Sequence, residues 1–144
     1  MKKILLALTM LIFVVAGSAS ATTFTDTEWL LRPLSGTNET SWTHNTPGDF
    51  KVPFDEVNSA TLEVFASFVN DSNETIYIDE KFALGTLENA SGSWYSRAGS
   101  LFHIETFFNT GYDASSFLVT LSYQDCFMFL TRSIFTLNYD NVEA

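Results

Sequence analysis

The chain has 144 residues, 46% of them hydrophobic and 15% aromatic, and its 7 Lys and Arg stand against 17 Asp and Glu for a formal net charge of −10. That acidic balance excludes a surface built to hold phosphate backbones, so nucleic acid is not an expected partner, and it disfavours anionic membrane surfaces. A single cysteine excludes an internal disulfide framework, and the aromatic and β-branched residues spread along the chain exclude disorder.

Residues 1–21 read as a secretory signal peptide. Lys2 and Lys3 make a positive start, residues 4–17 (ILLALTMLIFVVAG) an apolar stretch, and Ala19 and Ala21 a small-residue cleavage site. The stretch is too short, and wrongly flanked, for a membrane span. Cleavage after Ala21 leaves one domain's length of chain and removes two lysines, so the mature charge is two units more negative still. No later segment is long and apolar enough to span a bilayer as a helix, so the mature chain is expected to be exported, to the periplasm or the extracellular space.

Residues 22–40 form a less regular segment, with a first strand expected around TEWLLR and a loop around LSGTNET. The main domain is expected over residues 41–144. It opens with SWTHNTPGDF, in which Trp42 and His44 share a strand face by alternation. Pro47-Gly48 is turn chemistry, and Asp49 can tie its own loop. In SATLEVFASFV, residues Ala60, Leu62, Val64, Ala66 and Phe68 alternate onto one face, the mark of a half-buried strand. A polar break precedes ETIYID, and the two segments read as neighbouring strands joined by a short loop. FALGTL is a shorter strand bent at Gly85. SLFHIETFF alternates again, SFLVTLSY puts Phe117, Val119, Leu121 and Tyr123 on one face, and CFMFL and SIFTLNY read as one strand broken near residues 131–133. Cys126 lies in this last run, where burial is the expectation; a reactive thiol and a bridge between chains are the alternatives.

Many short strands, turn signals between them and no long period-3.6 stretch after the leader predict an all-β fold. The expected architecture is an antiparallel β-sandwich, jelly-roll-like, as a single domain after the cleaved signal peptide.

Residues 41–87 resemble the opening half of a β-sandwich domain of exported bacterial surface proteins, the PEP-CTERM and choice-of-anchor groups. The resemblance rests on Trp42 with His44, Asp49-Phe50, Pro53 with Asp55, residues 59–62 (SATL), Asp71, residues 76–79 (IYID) and residues 84–87 (LGTL). The second half is similar to that domain's ending around Phe117, Asp125 and Ser133. The resemblance implies export and a surface role. The sequence ends in YDNVEA, without the Pro-Glu-Pro motif, apolar helix and basic cluster of the sorting tail, so the expectation is the sandwich without that anchor.

Catalytic signatures are sparse. There is no G-x-S-x-G, H-E-x-x-H or P-loop. His44 suits a structural role, because no second catalytic-type residue stands at a motif spacing from it. His103, beside Glu105 on the same strand face, suits a solvated face. Paired carboxylates such as Asp55-Glu56 and Asp79-Glu80 keep a glycosidase formally open, but acids this abundant fall together without catalytic meaning. Two binding chemistries are legible. NDSNE supplies Asn70, Asp71, Asn73 and Glu74, hard oxygen ligands that would suit calcium as the cofactor, although the same residues make an ordinary polar turn. Trp94 and Tyr95, set between small polar residues, are the candidate sugar-stacking pair of a carbohydrate-binding module. The expected function is a non-enzymatic exported β-sandwich with a structural or interaction role in the cell envelope or extracellular matrix. Its expected partners are extracellular polysaccharide or envelope proteins; the alternatives are a carbohydrate-binding module and a secreted hydrolase.

Overall fold

The computed structural model describes residues 21–51, 55–69, 74–88, 99–110, 112 and 114–141, with residues 125 and 126 described by their backbone alone. The described chain is antiparallel β throughout, apart from one short helix. The strands are β1 (Ala21–Asn45), β2 (Glu56–Ser67), β3 (Thr75–Ile78), β4 (Phe82–Thr86), β5 (Ser100–His103) and β6 (Ser116–Asp140); the helix α1 (Glu105–Thr110) lies between β5 and β6.

β1 and β6 dominate the architecture. Each runs for 25 residues, and they pair along their whole length, from Ala21 opposite Asp140 to Asn45 opposite Ser116. Laid straight, such strands would reach about 80 Å, far beyond the width of a domain this small. The ribbon therefore folds over. The register breaks between Trp29 and Arg32 and again between Gly36 and Asn38, and Thr131 is skipped in the registers with both β1 and β2. Leu31 takes a positive φ of 49° and Gly36 one of 80°, the local distortions that bulges bring.

Folding the ribbon makes two facing layers from one continuous sheet. The β2 and β5 strands extend the layer holding the start of β1 and the end of β6; β3 and β4 extend the layer holding the end of β1 and the start of β6. Phe117 and Phe135, from opposite ends of β6, meet in the middle with ring centroids 4.9 Å apart. Inside lie the alternating residues that the sequence marks: Ala60, Leu62 and Val64 from β2, Phe117, Val119, Leu121 and Tyr123 from β6, and Trp42 and His44 from β1, all buried.

Four segments differ from their sequence-based reading. Residues 22–40 are strand from end to end, because β6 offers a partner for every part of them except the two bulges. SFLVTLSY and the two later runs form one strand, irregular at Thr131. The β2 and β3 strands are not neighbours; each pairs with a different stretch of β6. SLFHIETFF changes period midway: β5 ends at His103 and α1 begins at Glu105. Phe107 and Phe108 are both buried, which adjacent residues of a one-sided strand cannot be. In the helix they close one end of the sandwich, Phe107 against Phe82 and Phe117 and Phe108 against Phe50 and Phe135.

The TPGDF stretch anchors this end. The Phe50 amide donates to the Pro47 carbonyl at 3.1 Å, closing the turn, and the Thr46 amide and hydroxyl both donate to the Ser115 carbonyl. The Tyr139 hydroxyl donates to Asp49 Oδ1 at 2.7 Å. Burial, reinforced by that bond, pushes the Tyr139 phenol up to about 12. Its stabilising contribution is then complete below the ordinary value of 10.0 and disappears as pH rises through about 12. Tyr139→Phe is expected to cost about 1–2 kcal/mol at neutral pH. Thermal melts of the two proteins should converge between pH 10 and 12; a constant difference would refute the coupling.

Candidate functional site

The most organised polar group among the described residues sits between the two layers. Strand alternation turns His44 inward from the end of β1, Asp26 inward from its beginning, and Ser133 inward from β6. Folding of the ribbon brings them together. His44 Nδ1 lies 2.7 Å from Asp26 Oδ2, and His44 Nε2 lies 2.8 Å from Ser133 Oγ. Asp26 Oδ2 also accepts the Asn45 amide at 3.2 Å. A carboxylate only accepts, so Nδ1 carries the proton, and Nε2 accepts from the serine hydroxyl.

Burial is the main influence on His44, whose ring is 0% exposed, and it lowers the pKa below the ordinary 6.5; the hydrogen bond and charge of Asp26 and the charge of Glu28 oppose this. The imidazole is therefore neutral at physiological pH. The order of bonds, serine to histidine to aspartate, is that of nucleophilic hydrolases. Hydrolysis also needs space about 3 Å from the serine oxygen for a reacting carbonyl. Here Ser133 is fully buried and the His44 ring packs on Phe117 and Phe135, with centroids 5.7 and 6.0 Å away. Two cavities lined by described residues, one on an outer sheet face and one beside the TPGDF turn, include neither His44 nor Ser133 in their lining. The arrangement satisfies the buried His44 and Ser133 and the partly buried Asp26, and ties β1 to itself and to β6 across the interlayer space.

Sequence reasoning singled out His44 but missed its partners. They lie 18 and 89 positions away in the chain, and one Asp among many acids and one Ser in a strand carry no local signal. His103 is on the surface, its side chain 70% exposed, with Nδ1 3.6 Å from Glu105 Oε1.

The two predicted binding sets lie largely outside the described residues. Trp94 and Tyr95 lie outside the described residues, as do Asn70, Asp71 and Asn73. Glu74, the described member of the calcium set, is completely buried just before β3, away from solvent. Among the described residues no three His, Cys, Asp or Glu side chains gather as a metal-binding group. Cys126 stands opposite Gly36 in the register of β6 with β1.

Aromatic surface does occur on the outer face. Trp29 is 62% exposed, and the Arg132 guanidinium stacks between it and Phe65, 5.3 and 4.3 Å from the two ring centroids. On the outer face of the other layer is a polar groove of about 380 Å³, lined by Glu39 of β1, Thr120 and Ser122 of β6, Tyr77 of β3 and Glu80 of the β3–β4 turn.

No protein-family model matches this chain, and no curated protein matches it. Among the described residues no helix is long and apolar enough to cross a membrane.

Proposed function

We propose that the protein is an exported, non-enzymatic β-sandwich that acts through its outer faces, in a structural or interaction role at the cell envelope or in the extracellular matrix. The observation that carries this reading is the position of the Asp26–His44–Ser133 group. Among the described residues the one catalytic-type arrangement is spent inside, holding the layers together, while the groove between Glu39 and Glu80 and the exposed Trp29 lie on the sheet's outer faces. The leader-like residues 1–21 and the resemblance to exported surface domains support the compartment, and the acidic charge suits a protein that must stay dispersed outside the cell.

Export is tested directly. The native gene expressed in a bacterial host should give a product in the periplasm or medium whose amino-terminal sequence begins at Thr22. A product that retains Met1 and stays in the cytosol would overturn the export reading.

A further inference from the structure

We propose that the groove between Glu39 and Glu80 is a saccharide-binding site that takes pyranose units of a neutral polysaccharide. The inference rests on the interaction reading above and gives it a ligand class.

The groove's chemistry selects the ligand. At about 380 Å³ it falls in the size range of small-ligand sites, about 300–1,000 Å³. Among the described residues every lining side chain carries oxygen and none carries nitrogen. The Glu39 and Glu80 carboxylates only accept hydrogen bonds, and the Ser122 and Tyr77 hydroxyls accept or donate. The Thr120 hydroxyl is held 2.9 Å from the Ser41 hydroxyl, which fixes the floor. A ligand that fits must be rich in donors and carry no negative charge. Phosphate, sulfate and uronate groups are repelled by both carboxylates and by the net charge of −10. Vicinal sugar hydroxyls present paired donors to a carboxylate, and the half-buried Tyr77 ring offers an apolar surface to the C–H face of a pyranose.

The placement of Glu80 adds a further observation. Asp79 and Glu80 are the central residues of a turn, Ile78 to Lys81, within the three-residue loop between β3 and β4, both with positive φ, 49° and 59°, and the Lys81 amide donates to the Ile78 carbonyl at 3.1 Å. Turns with positive φ at both central residues favour Asn-Gly and Asp-Gly, because glycine adopts the second position without strain. Asp79 is held in place by the Leu118 amide, which donates to its Oδ1 at 3.0 Å, and its own amide donates to the Leu118 carbonyl at 2.8 Å. Glu80 occupies the position where glycine would fold more easily, and its side chain lines the groove. A residue that strains the backbone while contributing to a cavity points to binding.

The two properties separate in one variant. Glu80→Gly should melt no lower than wild type, since it relieves the turn, yet bind sugar more weakly. The experiment is isothermal titration of the exported protein, isolated from the periplasm or medium, with soluble hexasaccharides. Neutral gluco-, xylo- and manno-oligomers are compared with a cationic glucosamine oligomer and an anionic galacturonate oligomer. The expected result is binding of at least one neutral oligomer and none of the galacturonate, weakened about tenfold, or about 1.4 kcal/mol, by Glu80→Gly and by Glu39→Gln. Failure of every neutral oligomer to bind near millimolar concentration overturns the proposal, as does binding that both variants leave intact. Binding of the glucosamine oligomer alone also overturns it and identifies the groove as an ammonium site. Fractionation of the same cells reports separately on the wider reading. Protein recovered from the envelope or medium that binds no sugar removes the ligand and leaves the interaction role standing; protein confined to the cytosol removes both.

Discussion

Leu62→Asp is expected to unfold the domain at room temperature. Leu62 is completely buried in β2, the strand that joins β6 to β5, with Phe135 opposite it on one side and Phe102 on the other. Truncating a buried leucine alone costs about 2–5 kcal/mol. An aspartate there must either bury an unpaired charge or take up a proton, and each choice adds several kcal/mol. The sum approaches or exceeds the roughly 5–15 kcal/mol that holds a typical domain together. Glu63→Lys is the control. Glu63 lies on the outer face of the same strand and is only half-buried, and the change reduces an excess of acids, so its cost should be within about 1 kcal/mol. Urea denaturation followed by tryptophan fluorescence distinguishes the two. Equal losses would mean that the outer face of β2 is packed as tightly as the inner one.

Acid is expected to loosen the fold through His44. Its folded-state pKa is depressed by burial, so below 6.5 the unfolded chain takes up a proton that the native ring refuses. Stability is therefore complete above 6.5 and falls as pH drops through the window between 6.5 and the lower native pKa, at a slope of up to about 1.4 kcal/mol per pH unit. Asp26 and Glu28, the charged groups that act on the ring, temper the effect. Most carboxylates titrate nearer 4, so the loss between pH 7.5 and 5.5 reports chiefly on this histidine. His44→Gln should melt lower at pH 7.5 and lose that slope. His44→Ala, which leaves a cavity and strands the Asp26 and Ser133 groups, should cost roughly 3 kcal/mol or more at neutral pH. A wild-type slope retained in His44→Gln would show that another group carries the acid response.

Much of the core is legible in period-two alternation. Ala60, Leu62 and Val64, and Phe117, Val119, Leu121 and Tyr123, turn inward as their spacing demands, because a strand with one wet face must place its apolar residues two apart. The TPGDF turn is legible for a similar reason: proline and glycine restrict or free φ locally, whatever surrounds them. The failures have a common origin. LSGTNET looks like a loop since its residues favour turns, but pairing with β6 supplies its backbone with partners, and tertiary hydrogen bonding outweighs weak local preference. IETFF imitates a strand until two adjacent phenylalanines must both be buried, and only closing the end of the sandwich requires that.

The sequence by itself determined the class: an acidic, all-β chain with an inward-facing set of aliphatic and aromatic residues. Those properties follow from composition and from side-chain alternation, which act over a few residues. Tertiary structure decided the rest. The fold in the β1–β6 ribbon brings Asp26, His44 and Ser133 within hydrogen-bond reach, and the same fold turns Glu39, Tyr77 and Glu80 toward one outer groove. Such contacts join positions that lie far apart along the chain. Their geometry comes from where two 25-residue strands bend, a property of the whole sheet that no short window of sequence encodes.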